Sequence, residues 1–426
     1  MSSDPGVALG SGPAYPSRAM SPKPILVSLH GPDHPGISAG LMDVLSAHRA
    51  EIYDVEQIVV RGMLTLNVLV GVVDGDGTLE TVRRFATAEG LHVEFEEVTP
   101  TAAEPKSLFA ITVIGSPVTA DDFGAVARAI AEGGGNIERI FRLSRYPVVS
   151  YELVVSGDDI GRMRELLVEV AADRPIDLAI QPEGLERRAK RVVVMDVDST
   201  LIEAEVIDLL AAEAGVEEQV SKITAAAMAG EVPFEESLRE RVALLRGLDE
   251  AALARVATKI KLTRGARTFI RTLKRLGMTT AIVSAGFTRF ATALAADLGI
   301  DYSLSNTLDV KDGVLTGRLV GEIVDGPRKA RFLEEIAEAE GVSTSQVVAI
   351  GDGANDLDML AAAGLGIAFN GKPVVKAKAD TSLSVPFLDA ILFLLGVKRE
   401  HVEAADARDI GFTQPPLIEV PGTPPV

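Results

Sequence analysis

Arg191-Val-Val-Val-Met195 runs directly into Asp196-Val-Asp198-Ser-Thr200. The apolar run reads as a buried strand, and the chain leaving it carries two carboxylates two residues apart. In extended backbone that spacing puts both side chains on one side, where like charges repel unless a cation or a reacting phosphate needs them. The pair suits a magnesium-assisted attack on phosphorus, with one carboxylate as nucleophile and the other as acid and base. An Asp-rich turn capping the following helix would present the same residues, so the motif needs support from elsewhere.

Support comes from downstream. Gln346-Val-Val-Ala-Ile350 reads as a second strand ending in Gly351-Asp352-Gly353-Ala354-Asn355-Asp356. The carboxyl edge of an open α/β sheet is where ligands bind. Thr279-Thr-Ala-Ile-Val283 ends in Ser284-Ala285-Gly286, a small hydroxyl on flexible backbone that can approach an anion. Lys329 opens a helical pattern within Gly326-Pro-Arg-Lys-Ala330. Taken singly, Lys329 reads as a solvated lysine and Ser284 as a turn serine. The four elements in this order are far more specific.

In that order they resemble the four motifs of the haloacid dehalogenase superfamily, over residues 188–400. The resemblance implies a doubly wound parallel sheet with helices on both faces and a helical cap at about 204–261. It implies an aspartyl-phosphate mechanism with Asp196 as nucleophile and Asp198 as acid and base. Mg²⁺ would sit between the Asp196 carboxylate, the Asp198 carbonyl and Asp352. Asp356 and Thr200 would support that centre from behind, and Ser284, the Ala285 amide and Lys329 would hold phosphoryl oxygens.

The cap narrows the substrate. Met228-Ala-Gly-Glu-Val-Pro-Phe234-Glu-Glu-Ser-Leu-Arg-Glu-Arg241 resembles the cap of phosphoserine phosphatases, as does Glu205 soon after the first motif. The implied substrate is O-phospho-L-serine, with Arg241 paired bidentately to its carboxylate and Glu205 to its ammonium. Met228 and Phe234 would form an apolar wall, and Asn355 would contact the phosphate or the amino acid part. Read without the resemblance, Glu205 and Arg241 are a helix-surface charge pair worth roughly 0–1 kcal/mol, with Met228 and Phe234 in the cap core.

Residues 24–98 and 107–183 repeat one βαββαβ order, the pattern of two ferredoxin-like modules. They resemble ACT domains, which bind amino acids at subunit interfaces, and they set expected domains at 23–100 and 105–184. Gly31-Pro-Asp-His-Pro-Gly36 matches the ligand loop of that family. The second module has Gly115-Ser-Pro-Val-Thr119 without the Pro-Gly step, which fits a dimerisation partner better than a ligand site. The resemblance implies a homodimer or larger homo-oligomer, with L-serine both product and effector, contacting Asp33, Gly36 and Asn136. A purely structural role for either module is the alternative.

A chain of 426 residues accommodates these three units. Its net charge of −19 argues against nucleic acid as a partner. The absence of cysteine excludes disulfides, a thiolate nucleophile and thiolate-held zinc. No apolar run reaches the ~18 residues of a membrane span, and residues 1–22 lack the apolar core of a signal sequence. Residues 1–22 read as a disordered tail and 412–426 as an irregular Pro-rich one, with the cytoplasm as compartment. The expected activity is Mg²⁺-dependent hydrolysis of O-phospho-L-serine, the last step of serine biosynthesis. The alternatives are a phosphotransferase passing phosphate to an alcohol such as homoserine, separable by acceptor competition, and a non-catalytic amino acid sensor. The intact set Asp196, Asp198, Asp352 and Asp356 argues against the sensor.

Overall fold

Arg61 and Gly62 both have positive φ, 48° and 77°, the backbone a two-residue hairpin needs to match strand twist. They join β2 (Glu51–Val60) to β3 (Met63–Val72), with Val60 opposite Met63. The computed structural model describes residues 22–73, 75, 77–98, 107–228 and 232–409. The tails expected at 1–22 and 412–426 lie outside these residues, Pro22 apart. The described chain forms two compact units divided between Glu104 and Pro105.

In the first unit, β1 (Lys23–Pro32), α1 (Ile37–Ala47), the hairpin, α2 (Thr78–Ala88) and β4 (His92–Glu97) form an antiparallel sheet ordered β2-β3-β1-β4. Burial alternates along β1, and β2 is exposed throughout. Val27, Leu29, Leu66 and Val68 meet Leu41, Leu45 and Val82 in a core under the helices. One sheet face is covered, as period-two patterning dictates.

The second unit opens with the same order: β5 (Ser107–Gly115), α3 (Ala120–Glu132), β6 (Asn136–Ser144), β7 (Val149–Gly157), α4 (Ile160–Ala172) and β8 (Ile176–Pro182). Its sheet runs β6-β7-β5-β8. Phe109, Ile111 and Val113 face α3 and α4 in one core. Ile114, Leu143, Val148 and Ala179 instead join the core of a larger sheet behind. Gln181 Nε2 donates to the Leu394 carbonyl (3.0 Å) and the Ser384 amide to Asp177 (2.7 Å) across this contact. Arg187, in α5 (Leu185–Arg188), is buried there and pairs with Glu152 and with Glu183 (2.7 Å).

The larger sheet comprises β9 (Val192–Met195), β10 (Thr279–Phe287), β11 (Tyr302–Lys311), β12 (Val314–Val320), β13 (Val347–Gly351), β14 (Leu365–Phe369) and β15 (Thr381–Leu383). The order is β12-β11-β10-β9-β13-β14-β15. Only β12, at one edge, runs antiparallel to its neighbour. β9 is wholly buried because both sheet faces are covered. It lies between β10, which follows it in the chain, and β13, which comes much later, so the connections diverge at its carboxyl end. Between β9 and β10 the chain builds a cap from α6 (Val206–Ala214), α7 (Glu217–Met228), α8 (Phe234–Ala243) and α9 (Ala251–Ala257). α10 (Ala266–Arg275), α11 (Thr288–Leu298), α12 (Gly326–Ala339) and α13 (Leu357–Ala362) complete the elements that concern the site. Among the described residues no helix is long and apolar enough to cross a membrane.

Candidate active site

The divergence point gathers charge. Asp196 leaves β9 with its amide still donating to the Ile350 carbonyl of β13 (2.9 Å), which fixes its side chain at the sheet edge. Lys329 comes from the first turn of α12, where the Asp325 carboxylate caps the Arg328 amide (2.9 Å) and Pro327 fits the start. Lys329 is 0% exposed, and its Nζ donates to Asp196 Oδ1 (2.8 Å) and Asp356 Oδ1 (2.7 Å). Asp356 also accepts from the Gly353 amide (2.9 Å), and Asp352 accepts from Thr200 Oγ1 (3.4 Å). One carboxylate oxygen from each of Asp196, Asp352 and Asp356 lies within 4.8 Å of the others.

Burial and then the Asp356 charge push the Asp196 carboxyl well above its ordinary value, against the pull of Lys329. Burial and Asp356 likewise push Asp352 up to about 7. Burial opposes the Lys329 ammonium, yet Asp196 and Asp356 outweigh it and hold the lysine charged. One buried cation thus faces three carboxylates, an excess of negative charge in low dielectric.

Asp198 is placed by a tight turn in which Ser199 adopts left-handed backbone, φ 59°. Its carboxylate accepts from the Val206 amide (2.9 Å) and from Ser284 Oγ (3.1 Å). Burial and then Glu205 push it up to about 7, although both hydrogen bonds favour the charged form. The Gly286 amide donates to Ser284 Oγ (2.7 Å), and a Cβ on Gly286 would stand 2.6 Å from Asp198 Oδ2. Close approach therefore demands glycine at this position.

Above these groups lies a cavity of about 490 Å³ between sheet edge and cap. Asp196, Asp198, Ala285, Asp352 and Asn355 line it from the sheet side, and Glu205, Phe234 and Arg241 from the cap. Glu205 accepts from Ser199 Oγ (3.0 Å), and Arg241 Nε donates to the Ser237 carbonyl (3.3 Å). Burial lowers the Arg241 pKa, opposed by Glu205, Asp208 and Asp198. Lys329, Ser284 and Thr200 lie behind this lining, bonded to its carboxylates as described, and Asp356 lies there bonded to Lys329. The side chain of Met228 lies outside the described residues. Of the residues read as effector contacts, Asp33 and Gly36 belong to the first unit and Asn136 to the second. The Asp33 amide donates to the Gly62 carbonyl (2.8 Å), Gly36 precedes α1 at φ 106°, and Asn136 bonds Glu138 (2.9 Å).

Sequence reasoning passed over three residues here. Asp208 lines the cavity one helical turn after Glu205, a spacing that signals a shared face. Lys372 lines it from the loop after β14, another carboxyl end at the ligand edge. Asn306 is buried and ties the site loop together, donating to the Ala285 carbonyl (2.8 Å) and accepting from the Val324 amide (2.9 Å). An asparagine at a strand position carries no local sign of that role.

Residues 190–364 match the family model of haloacid dehalogenase-like hydrolases, and 23–96 and 107–181 each match an ACT domain. A phosphoserine phosphatase of Streptomyces coelicolor is 51% identical over 396 residues, 91% of this chain and 96% of that one. One from Mycobacterium tuberculosis is 48% identical over 405 residues, 93% and 98% of the two chains. The crystal structure of a haloacid dehalogenase family hydrolase from Salmonella enterica serovar Typhi gives a TM-score of 0.59 at 29% identity, covering 67% of this chain and 98% of that one.

Proposed function

This chain belongs to the phosphoserine phosphatases of the haloacid dehalogenase-like hydrolases, with two ACT domains, and from that membership we propose that it hydrolyses O-phospho-L-serine through an aspartyl-phosphate. The observation that carries the reading is one cavity receiving both the sheet-edge carboxylates and the cap residues Glu205, Phe234 and Arg241.

Lys329 holds Asp196 Oδ1, which leaves Oδ2 for attack. Oδ2 forms a bond to phosphorus in line as the bond to the serine oxygen breaks. The departing oxygen takes its electron pair and accepts a proton from Asp198. Water then attacks the aspartyl phosphate, Asp198 takes the water's proton, and phosphate leaves with the Asp196 carboxylate restored. A carboxyl held at about 7 can give and take a proton at neutral pH. Ser284 and the Val206 amide aim it, and the left-handed turn at Ser199 keeps Glu205 beside it.

Asp196, Asp352 and Asp356 offer oxygen donors alone, a hard set that fits Mg²⁺, and the excess buried negative charge calls for a cation. In that reading the Asp198 carbonyl would add a further ligand, and Asp356, whose carboxylate lies close to those of Asp196 and Asp352, would support the same cation. Bound there, Mg²⁺ supplies charge neutralisation on the phosphoryl oxygens. Arg241 receives the substrate carboxylate as a bidentate partner, Glu205 its ammonium, and Phe234 excludes water. The first ACT domain, through the loop containing Asp33 and Gly36, takes L-serine as effector in a homo-oligomer. Inhibition by serine that persists after Gly36→Ala would instead be product inhibition at the active site.

The test is phosphate release from O-phospho-L-serine with and without Mg²⁺, beside O-phosphothreonine and p-nitrophenyl phosphate. Metal-dependent preference for phosphoserine supports the reading; equal turnover of all three overturns the substrate. Asp196→Asn should lower turnover by about 10³-fold or more while substrate still binds. An active Asp196→Asn enzyme, with deamidation excluded, would sink the covalent route.

A further inference from the structure

β10 and β11 fall out of register at the site. Ser284 faces Ser305 and Phe287 faces Asn306, so β11 has no match for Ala285 and Gly286. A bulge takes such residues out of the ladder and re-aims what they carry. Their shared peptide is nevertheless held at both ends. The Ala285 carbonyl accepts from Asn306 Nδ2 (2.8 Å), and the Gly286 amide donates to Ser284 Oγ (2.7 Å). Ser284 Oγ in turn donates to Asp198 Oδ2 (3.1 Å).

Asn306 is 2% exposed, and both ends of its carboxamide are bonded. Oδ1 accepts from the Val324 amide (2.9 Å), one residue before Asp325, whose side chain caps α12. The Asn306 main-chain carbonyl accepts from Thr288 Oγ1 (2.9 Å) at the start of α11. A carbonyl accepts and an amide donates, so these partners leave the carboxamide one orientation. One side chain thus ties the bulge to the segment leading into α12, which carries Lys329 to Asp196. Asn306 does not line the cavity. Its influence on the reaction has to pass through the residues it holds.

We infer that Asn306 is a positioning residue for the acid and base. By fixing the Ala285–Gly286 peptide it sets Ser284 Oγ, and through that hydroxyl the aim of Asp198. The inference rests on the phosphatase reading above, in which Asp198 moves the proton in both half-reactions. Meeting Ala285 and Val324 together takes a donor and an acceptor on one short side chain. Asn306→Asp keeps the shape and the acceptor for Val324 but loses the donor for Ala285, so it cuts one link alone. A misplacement of roughly 1 Å at a working group can cost about 10²-fold.

The full-length enzyme with Mg²⁺ tests this as a double-mutant cycle of Asn306→Asp and Ser284→Ala. Asn306→Asp alone should lower kcat for O-phospho-L-serine about 10–100-fold. The competitive inhibition constant of L-serine, which the cap residues receive in that reading, should stay within about 3-fold. In the Ser284→Ala enzyme the same substitution should change kcat by no more than about 3-fold, because the link is already cut. An equal fall in both backgrounds overturns the inference, since Asn306 would then act by another route. So does an unchanged kcat per folded enzyme with a lowered denaturant midpoint, which would make Asn306 structural only. A matching loss of L-serine affinity overturns it too, because the whole cavity would have moved. Should Asn306→Asp fail to fold, Asn306→Ser, with a hydroxyl in place of the carboxamide, carries the same cycle. Should the native enzyme show no preference for phosphoserine, the substrate reading falls, and the cycle run with p-nitrophenyl phosphate still decides the role of Asn306.

Discussion

β1 and β5 open the same βαββαβ order, and their burial differs. Along β1 buried and half-exposed residues alternate, whereas β5 is buried continuously from Phe109 to Gly115. One face of the first sheet packs on its helices. The second sheet packs on helices with one face and on the hydrolase core with the other. A strand covered on both faces loses its alternation. The second face is not simply greasy: Thr112, Ser150, Glu152, Asp177 and Gln181 are all buried. In the first module Thr78 is the one buried polar residue among those described. A domain whose described core lies on one sheet face and a domain with cores on both faces share a fold and differ in where they put polar atoms.

The largest effect that could break this comparison is deletion. Removing residues 1–104 should leave folding and turnover of the remainder within about 3-fold, since the second unit keeps its core. Removing the chain through Gly184 should lower soluble, active enzyme by about 10-fold or more, because it uncovers apolar surface now in the hydrolase core. Equal losses for the two truncations, measured as soluble yield and activity, would erase the distinction.

A middle-sized effect sits at Arg187. It is 6% exposed in its side chain, pairs with Glu152 and Glu183, and reaches the Leu394 carbonyl. Arg187→Met should cost about 3–5 kcal/mol, since it leaves the buried Glu152 carboxylate unpaired while Glu183 keeps Arg188. Val55→Thr on exposed β2 of the first module should stay within about 0.5 kcal/mol. Denaturant midpoints of the two variants give the comparison directly.

The smallest effect is a matter of pH. Burial raises the Asp177 carboxyl above its ordinary value, against the Ser384 amide that favours its charge. The folded state therefore binds this proton more tightly than the unfolded state does. Stability falls as pH rises from the usual carboxylate range through the folded pKa, and the loss persists above it. Asp177→Asn should remove that fall, gaining on the native protein at neutral pH and losing the gain in acid. Urea midpoints at both ends of the range would show it. A gain independent of pH would mean that charge is not the cause.

Legibility in the sequence followed locality. Val192–Met195 is a strand recognisable from four residues because both its neighbours and both its faces are apolar. The hairpin at Arg61-Gly62 is equally local, as φ is a property of the residues that turn. Asp196, Asp198 and Asp352 could be named because each ends a strand, where an open sheet offers its ligand edge. Glu205, Phe234 and Arg241 could be named only as a family pattern, since a cap helix presents charged residues for many reasons. Asp208, Asn306 and Lys372 had no such marker. Their neighbours in sequence look like ordinary helix, strand and loop.

The chain's own pattern determined which segments would be strand or helix and which strands would end in acid, because hydrophobic periodicity and turn chemistry act within a few residues. Tertiary structure decided what each charged group would meet. Lys329 reaches Asp196 across 133 positions and Asp356 across 27, and Ser284 reaches Asp198 across 86. Those bonds set a lysine and a serine expected on phosphate directly beside Asp196 and Asp198. The cause is burial: once water is excluded, a buried ammonium or hydroxyl must bond to whatever carboxylate the sheet brings alongside, and that neighbour is set by strand order.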